Sequence, residues 1–241
     1  RATKLVFCTR SACRIAQQRY AGVVTPERTA IIPNGYEEQV FQAAAGLQVP
    51  VRQGSRRLLL HSGTVYKGAE RDPTMLFRAL QRLLGAGEIS PESFELRLRN
   101  PSNEDYFRSL AGKEGVASLV TVAPAITYRE ALAEMLGADG LLVLQGITSN
   151  PAVPAKLYEY FRARKPIVAL VHPDGETAGE LRSASVGPLA SLTDEIEIAA
   201  VLRHWLRGPE GARTLTPSDA VTAAYSRQGL TRKLADVLAS V

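Results

Sequence analysis

From Arg57 onward the chain alternates short apolar runs with amphipathic segments. Leu58-Leu59-Leu60 predicts a strand. Asp72 followed by Pro73 predicts a helix start, with a capping carboxylate and a proline at the first helical position, where no N–H is missed. Met75, Leu76, Ala79, Leu80, Leu83 and Leu84 recur at helical spacing and predict the buried stripe of that helix. Phe94-Glu95-Leu96-Arg97-Leu98 alternates with period two and predicts a strand. Ser102 predicts the next helix start, with Glu104 and Asp105 in a first turn where the helix dipole favours acids. Residues 119–122 predict a third strand. Thr127 and Glu130 have capping-box spacing and predict a helix running to about Gly137. Gly140-Leu141-Leu142-Val143-Leu144 is unbroken in its apolarity, as a strand covered on both faces requires.

Beyond it, residues 145–153 predict a loop, and a helix is expected to open at Pro154 and end before Pro166. The remaining expectations are a strand at 167–171, a helix over 175–184, a short strand at 186–189 and a helix over 193–207. One long last helix is expected from Thr216 to about Ala239. Strands and helices in strict alternation, with connections too long for hairpins, mean a parallel sheet with helices on both faces. The fold class is α/β, a doubly wound, Rossmann-like sheet, placed at residues 54–241.

The first 53 residues read differently. Leu5-Val6-Phe7-Cys8 predicts a strand, Thr9 or Ser11 a helix start, and 43–53 a linker. One strand and one helix cannot make a domain, so residues 1–53 are expected to be the remnant of a preceding N-terminal α/β domain with an interdomain hinge and linker. The chain begins at Arg1 rather than Met, which fits a piece of a longer protein.

Composition narrows the function. No run of about 18 apolar residues is present, so no membrane-spanning helix is expected. The net charge of +5 and pI near 9.4 suit a cleft for anionic phosphates or a face for anionic lipid headgroups. The basic residues come in small groups without interleaved aromatics or a known binding motif, which argues against nucleic acid. Cys8 and Cys13 fit no zinc spacing, and His61, His172 and His204 are far apart. Two reduced, packed thiols in a cytoplasmic protein are expected.

Open parallel sheets bind ligands beyond the carboxyl ends of their strands. The loop from His61 to Arg71 lies there. Gly63 and Gly68 let the backbone approach a ligand, and Lys67 and Arg71 can neutralise a diphosphate; the same residues also fit an ordinary turn with solvated basic side chains. Pro124, in the loop 123–126, either offers backbone groups to a nucleobase edge or simply ends a strand. Val153, Ala155 and Lys156 sit at a helix N-terminus, where free N–H groups and the dipole favour phosphate. Lys156 and Glu159 share a helix face, which also describes a plain surface pair. Neither a dinucleotide glycine fingerprint nor a P-loop is present.

The stretch Val153 to Ala169, with Lys156-Leu157-Tyr158-Glu159-Tyr160 at its centre, resembles the nucleotide-sugar signature of family 4 GT-B glycosyltransferases. Ile31-Ile32-Pro33-Asn34-Gly35-Tyr36 resembles that family's interdomain hinge. Ser62-Gly63 with Lys67 and Arg71 resembles its first βα unit, Ala138 to Leu144 the strand before its sugar loop, and Tyr225-Ser226-Arg227 its closing helix.

The resemblance implies the C-terminal, donor-binding part of a retaining hexosyltransferase. Its donor would be a nucleoside diphosphate sugar and its acceptor a saccharide or a lipid-linked one, with possible peripheral membrane association. No cofactor or metal is implied. Carried over residue by residue, Glu159 would accept from the ribose hydroxyls, and Arg71 and Lys67 would hold the leaving diphosphate. Gly63 would give close access, and the backbone at Val153, Ala155 and Lys156 would add to the phosphate site. The family's first motif acid, eight residues before Glu159, is Pro151 here, so its contact with the donor sugar is not carried over. Three other readings stay open. One is a nucleotide-sugar-binding module without activity. Another is a GT-B-fold sugar-nucleotide epimerase, and the third an oxidoreductase, which the missing fingerprint opposes.

Overall fold

The computed structural model describes residues 2–47, 56–66, 68 and 70–240. A small unit comes first: β1 (Leu5–Phe7), α1 (Arg10–Arg19) and β2 (Thr29–Ile31). The two strands pair in parallel, with Leu5 opposite Thr29. The opening segment is therefore a βαβ unit, where one strand and one helix were expected. Thr9 caps α1 through its side chain. Cys13 is buried but Cys8 is exposed, because it sits just past the end of β1; only one of the two free thiols is packed. After the irregular segment 32–35 comes α2 (Glu38–Ala45), so residues 43–45, expected in a linker, are helical. Of the rest of that expected linker, Gly46 and Leu47 follow the helix, and 48–53 lie outside the described residues.

The larger sheet holds five parallel strands in the order β5-β4-β3-β6-β7. In chain order its elements are β3 (Arg57–Ser62), α3 (Thr74–Gly85), β4 (Phe94–Arg99), α4 (Glu104–Lys113), β5 (Val120–Ala123) and α5 (Tyr128–Gly137). Then come β6 (Gly140–Leu144), α6 (Lys156–Ala163), β7 (Ile167–Leu170), α7 (Glu176–Ser183) and α8 (Glu195–Leu206). Short α9 (Pro209–Thr214), α10 (Asp219–Ala224) and α11 (Arg227–Ala239) close the chain. The doubly wound parallel sheet expected from the sequence is observed.

Side-chain alternation along the strands feeds two cores. Leu59, Leu96, Leu142 and Val168 pack with α3, α4 and α8 on one face. Leu58, Leu60, Leu141 and Ile167 pack with α2, α5, α6 and α7 on the other. Phe41 of α2 is buried in that second core, in edge-to-face contact with Tyr36 at 6.0 Å.

Several boundaries shift for local reasons. α3 begins at Thr74 rather than Pro73, yet Asp72 still accepts from the Thr74 amide at 2.9 Å. Burial of Leu76, Phe77, Leu80 and Leu83 contributes about 1.5–3 kcal/mol each. That outweighs a cap of about 1 kcal/mol, so the helix forms wherever its cap falls. The N-cap position of α4 is Asn103, which makes no side-chain capping bond, rather than Ser102, whose side chain instead donates to Val65 O. α6 begins at Lys156, two residues later than expected. Residues 186–189 do not form the expected strand; only Ala190 bridges to Leu170. The long last helix is broken at Tyr225 and Ser226. There Tyr36 bridges to Ser226, and its N–H and C=O bond to Tyr225 O and Arg227 N at 3.1 and 2.9 Å. Ser226 then caps α11 through its side chain.

Candidate functional site

Chain order reverses direction across the sheet between β3 and β6, which lie side by side although five elements, α3 to α5, separate them in sequence. A crevice opens at such a switch point, beyond the carboxyl ends of the strands. Ser62 ends β3 there and Leu144 ends β6. The loops that follow, 63–71 and 145–153, are tied together where the Gly146 amide donates to Glu70 O at 2.6 Å.

Lys156 is the first residue of α6, and its ammonium turns back to donate to Ser62 O. Burial pulls its pKa down to about 8, with the Arg71 charge adding to the depression and Glu159 opposing it. Gly63 makes this approach possible. Its φ of 128° suits glycine, and a Cβ there would run into the Lys156 ammonium. Helix α6 has no side-chain cap, and its N-cap is Ala155. Val153, in the loop that leads into it, is buried. An uncapped helix N-terminus beside a buried cation, next to a glycine with no side chain, is a place for anionic oxygens.

Arg71 donates to Thr64 O at 2.7 Å and stacks over the Tyr66 ring at 5.5 Å. Its Nε is buried without a hydrogen-bond partner among the described residues, as are both carboxylate oxygens of Glu70 and Nε2 of His61. His61 Nδ1 donates to Leu142 O at 2.8 Å, which leaves Nε2 as a lone-pair acceptor. Burial, and then the Lys156 charge, pull its pKa down to about 3, so the ring stays neutral. Tyr160 completes the floor. Its hydroxyl accepts from the Ser62 amide at 3.0 Å. Lys67 lies outside the described residues.

On the β5 side, Pro124 is held from below. Arg99 donates to Pro124 O at 2.9 Å, while Glu134 of α5 takes its Nε at 2.8 Å. Arg97 bonds the same carboxylate at 2.9 Å. The Glu134 side chain is only 6% exposed. Burial pushes its pKa up, but the two guanidiniums outweigh burial and hold it below the usual value. The capping box of Thr127 and Glu130 then starts α5 directly after this loop. Glu159, one turn along α6 from Lys156, accepts from the Tyr128 hydroxyl at 2.8 Å.

The structure thus gathers Gly63, Arg71, Lys156 and Glu159 with the Val153–Ala155 turn around one crevice, and Pro124 at its β5 side. Sequence reasoning passed over Tyr128, Arg99 and Glu134. The signal for Tyr128 was its place, the first residue after a cap in a βα loop. A cavity of about 820 Å³ also opens beyond β6 and β7, lined in part by Gln145, Ile147, His172 and Arg182. Among the described residues no group of His, Cys, Asp and Glu is placed to hold a metal ion.

No protein-family model matches this chain, nor does any curated protein sequence. Solved structures do. HepE of Anabaena in complex with UDP and glucose has 15% identity and a TM-score of 0.73, over 99% of this chain and 64% of that one. WaaG, a glycosyltransferase involved in lipopolysaccharide biosynthesis, has 21% identity and a TM-score of 0.66, over 98% and 63%. The α,α-trehalose 6-phosphate synthase of Burkholderia multivorans has 17% identity and a TM-score of 0.73, over 99% and 59%. The chain spans less than two thirds of the length of each. Its parallel sheet and flanking helices are the Rossmann-like α/β fold found in GT-B glycosyltransferases such as WaaG.

Proposed function

We propose that this chain is the donor-binding part of a retaining glycosyltransferase of the family 4 GT-B type. The observation that carries the reading is the Lys156 ammonium, buried at the switch point between Ser62, Gly63 and the uncapped start of α6. A buried cation at a helix N-terminus is costly unless an anion meets it, and a nucleoside diphosphate supplies two phosphates. Arg71 adds charge from the facing loop, Glu159 offers carboxylate oxygens to a ribose diol, and the 123–126 loop flanks the base. HepE carries UDP and glucose on the same fold.

Residues 54–241 are taken as the nucleotide-sugar-binding domain, and residues 1–53 as the end of a preceding domain with its hinge. In transfer, negative charge grows on the leaving diphosphate, and Lys156, Arg71 and the α6 amides lie where that charge develops. The acceptor would be a saccharide or a lipid-linked one. The basic balance suits a cytoplasmic protein that touches anionic lipid from the side. No helix among the described residues is long and apolar enough to cross a membrane. Transfer also needs an acceptor site, for which a preceding domain is proposed, so the isolated chain is expected to bind donor and transfer little.

Calorimetric titration with UDP, GDP and their sugar conjugates tests the reading. Saturable binding of one nucleotide, lost in Glu159→Ala and in Lys156→Met, is expected. Failure of every nucleoside diphosphate to bind, both to this chain and to a longer chain carrying the preceding domain, would overturn it.

A further inference from the structure

Tyr128 occupies an unusual junction. It is the first residue of α5, placed immediately after the 123–126 loop by the Thr127–Glu130 capping box. That loop is itself held by Arg99 through Pro124 O. From this fixed start the Tyr128 hydroxyl crosses to α6 and donates to Glu159 Oε1 at 2.8 Å. Burial of the hydroxyl and the Glu159 carboxylate beside it push the Tyr128 pKa up to about 12. The hydroxyl is therefore a proton donor throughout the physiological range. The residue as a whole is 51% exposed, so nothing in the core requires a tyrosine here; phenylalanine would fill the same space.

A carboxylate that meets a vicinal diol must present its oxygens in a set plane. A glutamate on a helix surface otherwise samples several rotamers and loses that freedom on binding. Tyr128 engages Oε1 and leaves Oε2 for a ligand hydroxyl. We propose that Tyr128 is a positioning residue for the donor nucleoside: it holds the Glu159 carboxylate for the ribose hydroxyls and links ribose recognition to the start of α5. The inference rests on the reading of Glu159 as the ribose acceptor. It adds a residue outside the sequence motif, and it assigns this chain a preference for ribonucleotides that depends on the phenol.

The test compares the 241-residue chain with its Tyr128→Phe and Glu159→Gln variants. Each is titrated with UDP, GDP and ADP and with their 2′-deoxy counterparts, and melting curves check folding. One hydrogen bond to a charged acceptor should favour the ribose form by about tenfold in the wild type. Tyr128→Phe should narrow that ratio to about threefold or less and leave the affinity for the 2′-deoxy form unchanged. If Glu159→Gln narrows the ratio and Tyr128→Phe does not, the positioning role is overturned while the ribose reading stands. Equal weakening of both sugar forms in Tyr128→Phe would show a merely structural tyrosine and overturn it as well. If the wild type makes no distinction between the sugar forms, or binds none of them, the Glu159 reading fails and the inference falls with it.

Discussion

The Lys156 ammonium is hydrogen-bonded to the main-chain oxygen of Ser62, joining the first turn of α6 to the end of β3 across the sheet's switch point. Burial has pulled its pKa down to about 8. Folding therefore disfavours the charged form. Below about pH 8 the lysine is charged in both folded and unfolded chains and the full cost is present. Between about pH 8 and the ordinary lysine value the unfolded chain binds more protons, so stability rises with pH. A depression of this size corresponds to roughly 3 kcal/mol at most. Lys156→Met should accordingly be the more stable protein at pH 7, by about 1–3 kcal/mol, and the gap should close towards pH 10. Urea unfolding at several pH values measures this. In the same variant diphosphate affinity should fall, a trade of stability for binding expected at a functional site.

Gly63 carries two constraints at once, a φ of 128° and a Cβ position already taken by the Lys156 ammonium. Gly63→Ala should cost about 2–4 kcal/mol, from backbone strain and displacement of the lysine together. Combining it with Lys156→Ala removes the second contribution. The double variant should then be more stable than the sum of the two single effects predicts, and denaturant unfolding of the four proteins gives the coupling.

Glu134 is the shared acceptor of Arg97 and Arg99. Its removal leaves two partly buried guanidiniums short of a partner. Glu134→Ala should destabilise by about 3–5 kcal/mol, as breaking one side of a buried ion cluster does. Its lowered pKa fixes the direction with pH. The contribution is fully present above the ordinary carboxylate value and is lost as pH falls through the folded one. The wild type should thus lose stability on acidification more steeply than Glu134→Gln, which acid melting curves would show. Arg99 also holds Pro124 O, so nucleotide affinity should fall in both variants.

The large sheet was legible in the sequence because its strands announce themselves twice, by unbroken or alternating apolar runs and by the helical stripes between them. Leu141 to Leu144 are buried, as are Leu76, Ala79, Leu80 and Leu83 of the α3 stripe; Met75 and Leu84 at its edges are only partly buried, and Phe77 beside it is buried as well. What was not legible came from partners distant in sequence. The only local mark of a break at residues 225–226 is Ser226, a cap among many serines; the partner that the break serves is Tyr36, nearly two hundred residues earlier. Residues 186–189 look like a strand, but only Ala190 finds a neighbour in Leu170. In the site, Gly63, Lys156 and Glu159 stood in loops and helix starts that the topology must bring to one edge. Arg99 and Glu134 stand 35 residues apart on β4 and α5, and only the packing of α5 on the sheet pairs them. Tyr128 was hidden because its partner Glu159 is 31 residues away.

The pairing of Tyr36 with the end of the chain makes a last prediction. A Cβ on Gly35 would strike Tyr225 O and come within 2.6 Å of the Leu230 side chain. Leu230 is the buried residue of α11. Gly35→Ala should therefore push α11 off and break the bonds that Tyr36 makes to Tyr225 and Arg227. The expected cost is about 1–3 kcal/mol, typical of overpacking at a tight contact. Ser226→Ala removes only the α11 cap, which is worth about 1 kcal/mol. The two variants separate by hydrogen exchange. In Ser226→Ala the amides of the first turn of α11 should exchange faster while Tyr36 stays protected. In Gly35→Ala the Tyr36 and Arg227 amides should lose protection together, because both bonds cross the same seam. Protection at Tyr36 unchanged in Gly35→Ala would mean that the seam can widen without opening, and that the break in the last helix is set by Ser226 alone.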